Sequence, residues 1–165
     1  MTRAAIALAM VLAGCSQERD PANLAAPDLE TVAVERGLVR DPEDDRITGL
    51  YARGGDRMCL VPAGGKTDAL RIGAYVLNGG RLGCSASGTA ERSGDRLRIN
   101  FGDACTLEAR TEGSRIVFPA KLPAACARRC SPRGTFDGLR VERMSDVVSE
   151  AAALRDPRGR AVCGT

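Results

Sequence analysis

The chain has 165 residues, a formal charge of +3, seven cysteines and no histidine or tryptophan. The missing histidine excludes Ser–His–Asp and Cys–His catalysis and histidine-ligated zinc. The small net charge gives no electrostatic ground for a nucleic-acid partner.

Residues 1–14 read as a signal peptide. Arg3 supplies a positive start, and Ala4 to Ala13 form an apolar run about half as long as the ~20 residues a spanning helix needs. Leu12-Ala13-Gly14-Cys15 then resembles the lipobox of bacterial lipoproteins. The resemblance implies cleavage before Cys15 and acylation of that cysteine. Two or more acyl chains anchor stably where one binds marginally. In that family an Asp after the cysteine often marks inner-membrane retention, so Ser16 implies the periplasmic face of the outer membrane. Residues 15–27 are polar and small, with prolines at 21 and 27, as expected of a flexible tether behind the lipidated cysteine.

Residues 28–39 predict a short helix, capped by Asp28 and stopped before Pro42. The acidic run 42–45 reads as a solvated turn, because the ligand spacing of a calcium loop is missing. From Ile47 the pattern changes to short runs broken by glycine-rich turns: 47–53, 57–62, 69–77, 81–92, 96–101, 105–111, 115–119 and 136–144. Leu97, Ile99 and Phe101 alternate with Arg96, Arg98 and Asn100, the period of a half-buried strand. Leu82, Cys84, Ala86, Gly88 and Ala90 form a small inner face. Ser145 is placed as the N-cap of a C-terminal helix over 146–155, ended by Asp156-Pro157. The expected fold is mainly β: an eight-strand antiparallel meander closing into a small barrel, or a two-sheet sandwich, within one domain over 28–165. Closure removes the exposed strand edges.

With Cys15 set aside, six cysteines remain: Cys59, Cys84, Cys105, Cys126, Cys130 and Cys163. An even count in an exported domain predicts three disulfides, and the sequence does not choose among the pairings. In a meander all even-numbered strands start at one end. Cys59, Cys84 and Cys105 should gather there with Cys126 and Cys130 of the long connection 120–135. That connection exceeds the usual loop length and carries Arg128, Arg129 and Arg133. It is expected to form a stapled cap whose arginines make a partner surface.

Sequence motifs supply no reaction. Gly64-Gly65-Lys66-Thr67 lacks the first glycine of a phosphate loop. Gly83 to Ser87 ends in serine where a nucleophile elbow needs glycine. Of Asp56, Asp68, Glu91, Asp95, Asp103, Glu108 and Glu112 most sit in or beside turns, and a pair such as Glu91 with Glu108 is expected to be able to meet across the sheet for acid–base work. The stretch over about residues 28–165, carried by Ile47 to Tyr51, Gly83 to Gly102 and Leu154 to Gly164, resembles small uncharacterised Gram-negative envelope lipoproteins, which implies location but no activity. Ser87-Gly88-Thr89-Ala90-Glu91 resembles the Ser-Gly-x-x-Tyr signature of lipoprotein inhibitors of C-type lysozyme, with Glu91 in place of the tyrosine. The expectation is a non-enzymatic, cofactor-free envelope lipoprotein, tethered to the membrane and binding an envelope protein or anionic polymer. Inhibition of lysozyme-type muramidases is the alternative.

Overall fold

The computed structural model describes residues 28–36, 46–64 and 69–163. The signal peptide, Cys15, the tether, the acidic run and residues 65–68, with Lys66, Thr67 and Asp68, lie outside the described residues. The chain divides into two units, Met1–Asp44 and Asp45–Thr165. The described part of the first unit is helix α1 (Leu29–Glu35), with Asp28 accepting the Glu30 N–H at 3.3 Å. It is shorter than the expected span. Among the described residues no helix is long and apolar enough to cross a membrane.

The second unit is a closed antiparallel barrel of β1 (Gly49–Arg53), β2 (Asp56–Pro62), β3 (Leu70–Asn78), β4 (Arg81–Ser93), β5 (Arg96–Asn100), β6 (Thr106–Glu112), β7 (Arg115–Val117) and β8 (Arg140–Ser145). Each strand pairs with the next, and β1 pairs with β8. Alternation places the core. Tyr51, Met58, Leu60, Ile72, Leu97, Ile99, Leu107, Ile116 and Val141 are buried inside, while Arg96, Arg98 and Asn100 face solvent. The inner face of β4 is small, with Ala86 and Ala90, which leaves room inside a narrow barrel for the aromatic side chains.

Two departures from expectation shape the fold beyond small shifts at strand ends. The last predicted strand starts four residues late, because Asp137-Gly138 makes a turn: Gly138 has φ 64° and its N–H donates to the Pro119 carbonyl at 2.7 Å. Phe136 and Leu139 still enter the core. The C-terminal helix α2 (Val148–Ala152) is short, and its N-cap position is Val147. Ser145 ends β8 instead, and its hydroxyl accepts the Val147 N–H at 3.2 Å.

A second, smaller core lies on the outside of the wall. Met58 and Leu60 point inward, so Cys59 and Val61 point outward, where Ala151, Val162 and Cys163 cover them. The C-terminal tail crosses β3 at Gly73, where a Cβ would stand 2.1 Å from the Val162 carbonyl oxygen. Cys163 is disulfide-bonded to Cys59. Asp156 anchors the tail. It is 3% exposed and accepts from the Ser85 hydroxyl of β4 at 3.0 Å, from the Arg158 and Arg160 N–H groups, and from the Arg160 guanidinium at 2.8 and 3.0 Å. Burial works against the charge of this carboxylate, but the Arg160 and Ser85 side chains and the two N–H groups outweigh it, so its pKa is lowered.

Candidate functional site: the stapled cap

The β1–β2, β3–β4 and β5–β6 turns and the β7–β8 connection share one end of the barrel, since alternate strands run the same way. The chain enters β1 at the opposite end. The connection from Phe118 to Leu139 forms a cap over its end, with a 3-10 turn at Ala124–Arg129. Phe101, Phe118 and Phe136 pack beneath it with ring centroids 5.8–6.5 Å apart.

Two disulfides hold the cap. Cys126 is bonded to Cys105 at the start of β6, and Cys130 to Cys84 near the start of β4. Both rest on the predicted geometry of even-numbered strands. Cys59 departs from the expected cluster: it lies in mid-strand on the outer face and takes Cys163 with it. Four of the six paired cysteines therefore staple the cap, and two clasp the tail.

Hydrogen bonds close the remaining edges. The Ser131 N–H donates to the Gly83 carbonyl at 2.7 Å, and the Asn78 side-chain amide donates to the Arg133 carbonyl at 2.6 Å. The β5–β6 turn passes through Gly102, Asp103 and Ala104 with φ of 77°, 50° and 63°. The left-handed region is tolerated by Gly and by Asp and is costly for Ala104. The cap holds this turn through both neighbouring arginines. Arg129 bonds the Asp103 carboxylate and the Phe101 carbonyl, each at 2.6 Å, and Arg128 donates to the Asp103 carbonyl.

The three arginines of the expected partner surface are thus not equivalent. Arg128 and Arg129 are engaged within the fold, and the Arg129 side chain is only 29% exposed. Arg133 is exposed and has no ion pair among the described residues. Beside it the cap forms a depression of about 240 Å³, lined by Lys121, Leu122, Pro123, Ala124, Thr135 and Asp137 among others. Its rim is rigid: Asp137 accepts the Leu122 N–H at 2.9 Å, and Thr135 accepts the Asp137 N–H at 2.9 Å.

The other sequence candidates are separated. Glu91 and Glu108 share one cross-strand row, but Arg98 of β5 lies between them, in register with each. Glu108 pairs with Arg96 at 3.2 Å. Ser87 to Glu91 run inside β4, paired to β3 over Ser87–Ala90 and to β5 over Thr89–Glu91, and so form no protruding loop. No group of three metal-ligating side chains occurs among the described residues. On the inner side, Arg143 stands 5.5 Å from the Tyr51 ring, with its Nε and Nη1 buried and making no hydrogen bond within the protein.

The chain matches no protein-family model, no curated protein and no solved structure. Its chemistry therefore rests on its own residues.

Proposed function

We propose that this chain is a non-enzymatic lipoprotein of the bacterial cell envelope. Cys15 carries the lipid and holds the protein at the periplasmic face of the outer membrane. The barrel binds an envelope partner through the cap. One observation supports this reading above the others: the longest connection of the barrel is fixed by two disulfides around a surface depression. A surface ordered before binding loses less entropy when it meets a partner. The mixed lining of apolar groups with Lys121 and Asp137, and Arg133 nearby in the chain, suits a protein partner better than a small apolar ligand.

Two measurements test it. Cys15→Ser should abolish incorporation of labelled fatty acid and release the protein from membranes. Equal fractionation of parent and variant, with no label in the parent, would reject the anchor. Crosslinking in whole envelopes should capture a partner that Lys121→Glu with Arg133→Glu fails to capture. Unchanged capture by that double variant would reject the cap as the surface. The position of Ser87–Glu91 inside a strand favours this reading over muramidase inhibition, and purified protein is expected to leave C-type lysozyme fully active.

A further inference from the structure

The wall beside the cap carries charge that the fold does not use. Arg53 ends β1, Arg140 opens β8 directly after the cap, and Arg115 opens β7. Register brings them together. Arg115 lies opposite Glu142, Arg140 is two residues before Glu142 on the same strand, and Ala52, next to Arg53, is also opposite Glu142. The four charged side chains line a depression of about 240 Å³.

On the neighbouring strands Asp56 lies opposite Arg53 and Glu112 opposite Arg115. Glu142 is the single carboxylate lining the depression, and it is committed. Its Oε1 accepts from the Arg115 Nη2 at 2.6 Å and Nε at 3.2 Å. Arg53 and Arg140 make no hydrogen bond or ion pair through their side chains among the described residues. The three arginines and Glu142 that line the depression carry a net charge of about +2, which Asp56 and Glu112 on the neighbouring strands moderate. Both unpaired arginines are exposed. The depression is smaller than the ~300–1,000 Å³ of pockets that enclose drug-sized ligands. Its lining is charged, so it suits a compact polar group. Guanidinium forks match the oxygens of phosphate two at a time.

We propose that Arg53, Arg115 and Arg140 form a binding site for an anionic phosphate group, with Glu142 holding Arg115 in place. The phosphate belongs to a soluble polymer or to a lipid headgroup. The site lies on the β1–β8–β7 wall and stands whether or not the cap binds a protein.

Calorimetric titration of the full chain carrying Cys15→Ser, so that no acyl group contributes, tests this with pyrophosphate as the probe. Arg53→Glu with Arg140→Glu should weaken binding at least tenfold, and the milder Arg53→Gln with Arg140→Gln should fall between. Arg81→Glu with Arg158→Glu makes the same change in net charge elsewhere on the exposed surface and should alter affinity less than twofold. Equal weakening by the two glutamate pairs would show attraction to net charge alone and overturn the site, as would absence of pyrophosphate binding by the parent. Linear polyphosphate and phosphatidylglycerol vesicles then separate the sources. Loss of binding by the Arg53→Glu, Arg140→Glu chain to one of them assigns the phosphate to polymer or headgroup, and retention on both overturns the proposal.

Discussion

Gly134 of the cap and Gly83 of β4 meet backbone to backbone: a Cβ on Gly134 would stand 2.3 Å from the Gly83 carbonyl oxygen. That oxygen accepts the Ser131 N–H, and the next residue, Cys84, is bonded to Cys130. The approach is possible only without a side chain. Gly134→Ala should therefore lift this edge of the cap and cost about 1–3 kcal/mol, the range for overpacking a tight contact. Thermal unfolding of the oxidised protein would measure it. An unchanged midpoint would mean that the two backbones separate freely.

Ala104 invites the opposite change. It sits at φ 63°, where a Cβ is strained by roughly 1–2 kcal/mol. Ala104→Gly removes the strain but adds freedom to the unfolded chain, so the net gain should be up to about 1 kcal/mol. Denaturant titration should show a higher midpoint with an unchanged slope.

Acid should loosen the tail before it opens the barrel. The Asp156 carboxylate titrates below its ordinary value of 3.8 in the folded protein. The unfolded chain then binds the proton more readily than the folded one. The stability this group contributes is fully present above that ordinary value and is lost as pH falls through the folded pKa. Hydrogen exchange in residues 154–163 should rise below about pH 4, ahead of exchange in β5 and β6. Asp156→Asn should cost about 1.5–3 kcal/mol near neutral pH, as for hydrogen bonds to a charged group, and should flatten the acid dependence.

The two kinds of disulfide should behave differently. Cys59→Ser with Cys163→Ser removes a link across 104 residues, and Cys105→Ser with Cys126→Ser one across 21. Each loss should cost about 2–4 kcal/mol. The first should expose the tail and β2 to exchange and spare the cap. The second should free the β5–β6 turn, because Cys105, next to Ala104 with its strained φ, then loses its bond to the cap. Exchange mapped by mass spectrometry separates the patterns.

The barrel was legible because its signals are local. Glycine turns and a period of two, as in Leu97 and Ile99 against Arg96 and Arg98, recur from strand to strand. Alternation also carried the answer to Cys59, whose outward direction follows from Met58 and Leu60 pointing inward. The helix boundary at Ser145 was misplaced because a serine followed by an acidic residue reads the same whether it ends a strand or caps a helix. Asp156 read as a helix stop, although Asp-Pro-Arg-Gly is also a turn able to wrap its own carboxylate. The convergence of Arg53, Arg115 and Arg140 had no local trace. They come from three strands, and only the closing pairing of β1 with β8 brings Arg53 to the others. Arg128 and Arg129 looked like surface charge because the turn they grip, at Asp103, lies 25 and 26 residues away.

The Cys59–Cys163 bond has a topological result. It closes the backbone from the middle of β2 to the tail into one covalent ring, with the other two disulfides inside it. A protease that nicks any single loop between these residues releases no fragment, and a nicked molecule gains only the mass of the added water until reduction separates its pieces. Among the described strands only β1 lies wholly outside the ring, held by its ladders to β2 and β8 and by side-chain packing. The barrel thus has one seam that can part without breaking a covalent bond, and it is the strand through which the N-terminal segment enters.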